Sequence, residues 1–172
     1  TRVGHRRIRA CLPMHTFGHP VELDALIAVC EHWHLILVED AAESLGSYYK
    51  GNHTGNFGRI GVLSFNGNKI ITTSGGGMLL SDDAALIARA RQLSTQAREP
   101  ARHYEHRDMG FNYRMSNVCA GIGRGQMTVL NDHIAHHKHV QALYEELLKD
   151  VPGVHMHKQP ADPRYDANYW LC

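Results

Sequence analysis

Apolar and polar residues follow two different periods in the first forty positions of the chain. A short apolar run at residues 8–14 ends in a polar loop at residues 15–20, which is typical of a strand and the turn after it. Between Val21 and Trp33 the apolar residues recur every three or four positions, which predicts a helix with one buried face. The continuous apolar run at residues 35–38 is typical of a strand buried on both faces. This strand–helix–strand order predicts a βαβ unit, and therefore a parallel sheet with helices packed against it.

The remainder of the chain continues the alternation of strands and helices. The same patterns predict a short helical start at 41–45, a glycine-rich loop at 46–61, strands at 62–65 and 77–80, and a helix at 82–94. Two more helices are expected, one from the N-cap residue Ser116 towards Asn131 and one over residues 132–149. Pro152 and Gly153 end the last helix, and residues 154–156 are a candidate strand.

These elements predict an α/β fold, arranged as a three-layer αβα sandwich. Residues 1–150 are expected to form one domain and residues 151–172 the truncated start of a smaller C-terminal domain. The chain has 172 residues, of which 43% are hydrophobic, which suits a soluble globular domain with a core. It does not begin with Met and stops in mid-pattern, so we expect it to be a fragment of a longer protein.

Charge and cysteine content narrow the function classes. The formal net charge of +1 gives no reason to expect a nucleic-acid or anionic-membrane partner. No apolar run approaches the roughly 18 residues of a membrane span. The four cysteines show no C-x-x-C pairing, which indicates reduced thiols in a cytoplasmic protein.

Lys69 lies in a short polar turn, after Ser64 and before the glycines at residues 75–77. Lysine condenses with aldehydes, and enzymes hold pyridoxal phosphate through a lysine Schiff base with an acidic partner on the ring nitrogen. Asp40 follows the buried strand, at the position where α/β sheets place ligand-binding groups. The cofactor's phosphate needs hydroxyl and backbone N–H donors, and Ser64 is a residue of that type.

Each of these residues also has a simpler explanation. A lysine in a loop is most often a solvated surface charge. A carboxylate that follows a strand often caps the next helix, and Asp40 before Ala41 and Ala42 fits that role. A run of glycines can be a turn and nothing more. From spacing alone, cofactor binding and these structural roles both stay open.

Three longer segments carry a resemblance to a known family. They are residues 38–46 (VEDAAESLG), 61–69 (GVLSFNGNK) and 110–117 (GFNYRMSN). In this order they resemble the signatures of the DegT/DnrJ/EryC1/StrS family of nucleotide-sugar aminotransferases. Residues 14–20 and 51–55 further resemble the branch that aminates UDP-4-keto-6-deoxy-N-acetylglucosamine, on routes to bacillosamine or legionaminic acid.

The resemblance implies a partial large domain of the type I pyridoxal phosphate fold and assigns roles to individual residues. Lys69 would form the Schiff base and move protons, Asp40 would pair with the pyridinium nitrogen, and Ser64 would bind the phosphate. Glu43 would lie beside the cofactor ring, where many members carry Gln. Asn112 would reach the phosphate held by the neighbouring subunit, because the active site of this family lies at a homodimer interface.

The implied reaction is a ping-pong transfer in which glutamate gives its amino group to the cofactor, which passes it to C4 of a nucleotide-linked keto sugar. A relative with histidine at the lysine position dehydrates sugars instead, so Lys69 argues against dehydration here. The family's first section, with a glycine-threonine phosphate loop and a stacking aromatic, is absent. We therefore expect the chain alone to bind pyridoxal phosphate poorly. The alternative is a catalytically silent dimerising or sensory module that keeps the fold.

Other candidate residues have weaker support. His15, in the loop after a strand, could approach the substrate, or could be a satisfied loop histidine. Arg114 could bind a phosphate or brace the subunit interface, and the second role is favoured. His133, His136 and His137 have helical spacing, but no further ligand can be placed with them, so no metal site is predicted.

Overall fold

A four-stranded mixed sheet lies at the centre of this computed structural model, which describes residues 2–172. The strands, in chain order, are β1 (Arg2–Val3), β2 (Arg6–Arg7), β3 (Ala10–Cys11), β4 (Ile36–Asp40), β5 (Tyr48–Tyr49), β6 (Asn52–His53), β7 (Ile60–Ser64), β8 (Gly77–Leu80) and β9 (Tyr165–Asp166). The helices are α1 (Leu23–Trp33), α2 (Ala84–Ser94), α3 (Asn117–Met127) and α4 (Leu130–Leu148). Within the described residues, no helix combines the length and apolar character needed to cross a membrane.

The order of the central sheet is β3-β4-β7-β8. Strands β3, β4 and β7 are parallel, and β8 joins β7 in the antiparallel direction. The βαβ prediction is therefore confirmed for β3, α1 and β4, and the sheet as a whole is mixed. Because parallel strands point the same way, the loops after β3, β4 and β7 all leave the same edge of the sheet.

Helix starts follow the capping residues in the sequence. The side chain of Asp83 accepts hydrogen bonds from the N–H groups of Ala85 and Leu86, both at 3.0 Å, at the start of α2. Ser116 accepts one from Cys119 N at 3.2 Å, as its predicted N-cap role requires. These bonds satisfy N–H groups that a helix cannot pair internally.

Two clusters of buried apolar side chains hold the elements together. One joins α1 to β4 and to a small three-stranded sheet of order β6-β5-β9, and its buried members are Leu23, Cys30, Leu37, Tyr49 and Tyr165. The other joins β7 and the segment after it to α4, and its buried members are Ala41, Leu63, Phe65, Ile70, Ile71, Ile134 and Trp170. The second cluster matters for function because it surrounds the turn that carries Lys69.

The predicted helical start at residues 41–45 is wrong. These residues form turns, and Gly46 has a φ of +82°, which a right-handed helix does not allow. Ser44 instead pairs its hydroxyl with that of Thr54 at 2.7 Å. The predicted loop at 46–61 therefore contains a hairpin, β5–β6, which folds back on the turn after β4.

The last part of the chain returns to the first domain. Helix α4 ends at Leu148, close to the predicted boundary, and the candidate strand at residues 154–156 is absent from the described structure. Strand β9 pairs with β5, and Trp170 enters the second apolar cluster. Residues 165–170 thus pack against elements within residues 1–150, and the division into two domains at residue 150 stays a prediction.

Candidate active site

Glu39 and Asp40 end strand β4 with their side chains on opposite faces of the sheet, because side chains alternate along a strand. Glu39 is completely buried, whereas Asp40 is partly exposed. The register places Asp40 beside Val62, so Ser64, two residues further along β7, lies on the same face as Asp40. The carboxylate of Asp40 and the hydroxyl of Ser64 thus share one face at the carboxyl edge of the sheet.

Asp40 also has a local structural role. Its Oδ1 accepts a 3.1 Å hydrogen bond from Ala42 N. The capping role considered for this residue is thus partly realised, although the residues it caps form a turn and not a helix.

Lys69 lies in the turn after β7, where its backbone N–H donates to Asn66 O at 3.1 Å. Its side chain is only 13% exposed, and its Nζ lies 3.8 Å from Oε1 of Glu43, which is 15% exposed. This lysine is therefore not the solvated surface charge that lysines in loops usually are. The loops after β4 and β7 bring it to Glu43.

A small cavity, too narrow in this structure to hold a water molecule, lies between these side chains. Ser64, Lys69 and Glu43 line it together with Ala42, Leu45, Ile70 and Ile71. An amine, a carboxylate and a hydroxyl therefore meet at the edge where α/β proteins bind ligands. Near them, a Cβ added to Gly67 or Gly75 would have no other atom within 4 Å, so the surrounding turn leaves open space.

Glu43 is fixed from its other side. Its Oε2 accepts a 2.7 Å hydrogen bond from Phe17 N, in the loop after β3. Phe17 has a φ of +58°, an uncommon conformation for a residue with a side chain. One carboxylate thus connects the loop after β3 to the lysine after β7.

Trp170 and Asn168 complete the surroundings of Lys69, and the sequence analysis missed both. The Nζ of Lys69 lies 4.1 Å from the centre of the Trp170 ring. Asn168 is completely buried and donates to the backbone oxygens of Glu43 and Leu45, both at 2.9 Å. Their position near the end of the chain, far from every motif, gave no signal of this role.

Glu39 is a second residue that the sequence analysis missed. Its Oε1 accepts hydrogen bonds from Phe57 N at 2.7 Å and Gly58 N at 2.6 Å, and its Oε2 accepts one from Gly55 N at 2.8 Å. Burial opposes the charge, but the bonds from His15 and these backbone groups outweigh it and hold the pKa of Glu39 below its ordinary value. The carboxylate organises the loop before β7.

The geometry does not support the substrate role considered for His15. The side chain is completely buried, its Nε2 is bonded to Glu39, and its Nδ1 accepts from Val21 N at 3.2 Å. Since both ring nitrogens are occupied inside the protein, His15 is a structural residue, the second of the two roles considered for it.

Asn112 and Arg114 are not among the residues that line the Lys69 cavity. Asn112 is exposed and bridges to Thr95 through its backbone, and Arg114 lines a separate groove beside β8 and α2. Their expected roles involve a neighbouring subunit and stay predictions.

One histidine of α4, His133, contributes to packing. His133 Nδ1 is 3.0 Å from Ile70 O, which ties α4 to the residue after Lys69. Among residues 2–172, no group of three or more His, Cys, Asp or Glu side chains has an arrangement that could hold a metal ion.

Known proteins resemble this chain over nearly its whole length. A protein of Bacillus subtilis (strain 168) described as a pyridoxal phosphate-dependent aminotransferase, EpsN, is 45% identical over 95% of this chain and 42% of its own length. GDP-perosamine synthase of Escherichia coli O157:H7 is 34% identical over 96% of this chain and 44% of its own length. The crystal structure of the aminotransferase TlmJ from Streptoalloteichus hindustanus superposes with a TM-score of 0.89 at 29% identity, over 98% of this chain and 46% of that one.

The chain thus spans less than half the length of these relatives. The superposition on TlmJ confirms the α/β class and the predicted relation to an aminotransferase fold. The model of the DegT/DnrJ/EryC1/StrS aminotransferase family matches residues 2–172. Because this match covers nearly the whole chain, the chain belongs to the DegT/DnrJ/EryC1/StrS aminotransferase family.

Proposed function

We propose that the protein to which this chain belongs uses pyridoxal phosphate to transfer an amino group from glutamate to a nucleotide-linked keto sugar. The observation that carries the proposal is the mostly buried amine of Lys69, which meets a carboxylate and a hydroxyl around one cavity. Family membership supports the reaction class, and the 45% identical relative is described as pyridoxal phosphate-dependent.

The residues present fit this cofactor by their chemistry. Lys69 offers the amine that holds it, Ser64 offers a hydroxyl to its phosphate, and Asp40 offers a negative charge to its ring nitrogen. When bound, pyridoxal phosphate supplies an electron sink that makes removal of a proton from the adjacent carbon favourable. Lys69 would then accept and return that proton at Nζ, while Glu43, 3.8 Å away, keeps the amine in place.

The substrate class follows from the family and from one relative. A protein 34% identical to this chain is named for a GDP-linked product. Residues 14–20 and 51–55, in contrast, resemble the branch that acts on UDP-4-keto-6-deoxy-N-acetylglucosamine. We propose the UDP-linked sugar as the substrate, to be compared directly with a GDP-linked keto sugar.

A homodimer is part of the proposal. Phe111, Asn112, Tyr113 and Arg114 are all exposed in this chain. Side chains in such an exposed segment are free to complete the site of a second copy, with Asn112 at the phosphate and Arg114 bracing the interface.

Borohydride reduction of the full-length protein with pyridoxal phosphate tests the lysine. The expected result is a pyridoxyl group on the peptide that contains Lys69, found by mass spectrometry. Lys69→Arg should abolish this label, whereas Lys149→Arg, at an exposed position, should not change it. A label on another lysine would contradict the proposal.

Product analysis tests the reaction. The full-length protein, incubated with glutamate and the UDP-linked keto sugar, should form 2-oxoglutarate and amino sugar in equal amounts. Turnover of the GDP-linked sugar alone would replace the proposed substrate with the other nucleotide. If the full-length protein neither takes up the label nor turns over either sugar, the silent module is the better explanation.

A further inference from the structure

We propose that Trp170, held in place by Asn168, is a positioning residue that fixes the amine of Lys69 in the candidate active site. The inference rests on the proposed function, since the position of this amine matters for catalysis only if it holds the cofactor. It assigns a role to residues 165–170, which lie outside the three motifs.

Trp170 contacts the lysine turn with two different parts of its side chain. The ring lies under the Lys69 amine, with Nζ 4.1 Å from the ring centre. The ring N–H donates to the backbone oxygen of Asn68, the residue before the lysine, at 2.6 Å. A cation above an aromatic face is attracted to it, and the N–H bond fixes the ring relative to the lysine backbone. The indole thus contacts both the side-chain amine of Lys69 and the backbone just before this residue.

Asn168 fixes Trp170 relative to Glu43. Its Oδ1 accepts from Trp170 N at 2.8 Å, while its Nδ2 donates to Glu43 O and Leu45 O. Its own backbone N–H donates to Ser47 Oγ at 3.0 Å. Asn168 is completely buried, and a Cβ at Gly18 would lie 1.7 Å from its Oδ1, so it has no room to move. One asparagine therefore connects the two groups that contact the Lys69 amine.

These contacts leave Lys69 little freedom. Its Nζ lies between the carboxylate of Glu43, at 3.8 Å, and the ring of Trp170, at 4.1 Å. Trp170 is 8% exposed, so it also keeps water from that side of the amine. The restrained amine lines the same narrow cavity as Ser64, as is required of two residues that hold one ligand.

Trp170 also packs in the apolar cluster with Phe65, Ile70 and Ile71, so loss of stability alone would not separate positioning from packing. The test must therefore report on the lysine itself. Limited acetylation of the cofactor-free, full-length protein does so, with the labelling of Lys69 divided by that of exposed Lys149 and quantified by peptide mass spectrometry.

Trp170→Leu should raise this labelling ratio about threefold or more, since local protection of the amine is lost. Trp170→Phe keeps an aromatic face and should raise the ratio less. Trp33→Phe, at an exposed tryptophan that ends α1, is the control and should leave it unchanged. An unchanged ratio in the Trp170→Leu protein would overturn the proposal.

A second measurement covers the case in which Trp170→Leu does not fold. In the ¹H–¹⁵N spectrum of the Lys69→Met protein, the indole signal of Trp170 should shift and that of Trp33 should not. Equal signals for Trp170 with and without the Lys69 amine would also overturn the proposal.

Kinetics separate this inference from the proposed function. Trp170→Phe should lower kcat about tenfold with little change in KM, because a misplaced amine slows the chemical step more than sugar binding. Failure of borohydride to label Lys69 in the unmodified protein would remove the function, while the labelling ratio and the indole shift still measure the contact. If borohydride labels Lys69 but the acetylation ratio of the Trp170→Leu protein and the indole signal of Trp170 both stay unchanged, the proposed function stands and the role of Trp170 is contradicted.

Discussion

Nε2 of His15 donates a 3.0 Å hydrogen bond to Oε2 of Glu39, and both side chains are completely buried. Val21 N donates to Nδ1 of the same ring, so the hydrogen of the imidazole is on Nε2. Glu39 accepts three more bonds from backbone N–H groups at residues 55–58. The pair therefore connects the loop after β3 to the loop before β7, beneath the candidate active site.

Glu39→Gln should lower the free energy of unfolding by about 2–4 kcal/mol. A glutamine side chain has only one acceptor oxygen. Its NH₂ group would therefore face N–H donors that bond to the Glu39 carboxylate in the unmodified protein. Glu146→Gln, at a side chain that is 71% exposed, is the matched control and should change stability by less than about 0.5 kcal/mol. Urea denaturation measures both, and equal effects would show that Glu39 does not organise the loop.

His19 makes the stability of the fold dependent on pH. Burial first, and then the nearby charge of His157, lower the pKa of His19 to about 4. An unfolded chain takes up this proton near pH 6.5, whereas the folded protein resists it until about pH 4. Stability should therefore fall as the pH decreases from 6.5 to 4, by at most about 1.4 kcal/mol per pH unit for one proton.

The variant His19→Gln should flatten this dependence without removing it. His53 and His137 also have a pKa that burial lowers, so they contribute to the same trend. Thermal unfolding between pH 4 and 7 measures the slopes. Parallel curves for the two proteins would assign the pH dependence to other groups.

Helix α3 contains glycines that its packing does not require. A Cβ at Gly121 or Gly125 would have no other atom within 4 Å, so Gly121→Ala and Gly125→Ala should each stabilise the protein by about 1 kcal/mol. A Cβ at Gly123 would lie 2.9 Å from Thr73 Cγ2, so Gly123→Ala should gain less or lose stability. Urea midpoints test this order, and a larger gain at Gly123 would contradict it.

Ser74 adopts a left-handed backbone conformation, with a φ of +69°. This conformation disfavours residues with a Cβ, so Ser74→Gly should raise the free energy of unfolding by about 0.5–1 kcal/mol after the entropy of glycine is counted. Ser74→Ala keeps the Cβ and should give no such gain. A destabilised Ser74→Gly protein, measured by urea denaturation, would show that the serine side chain has a role of its own.

Local patterns predicted the four helices and the four strands of the central sheet, but not the short strands β1, β2, β5, β6 and β9. The strand at residues 77–80 and the N-cap at Ser116 agree with the structure, and α1 and α2 begin within two residues of the predicted starts. Hydrophobic period and capping depend on neighbouring residues, so the sequence displays them directly. The helical start at residues 41–45 was wrong because a positive φ at Gly46 and the Ser44–Thr54 hydrogen bond override local preference.

The sequence by itself determined the order of the helices and of the central strands, and it placed Asp40, Ser64 and Lys69 at or shortly after the ends of two of these strands, where their chemistry is useful. Only the tertiary structure decided what contacts the Lys69 amine. Trp170 bonds to Asn68, a residue 102 positions away, and no period or motif links the two. The tertiary structure also buries His15 against Glu39, a residue 24 positions away along the chain. Such pairings depend on strand register and core packing, which arise from the whole chain and not from any one segment.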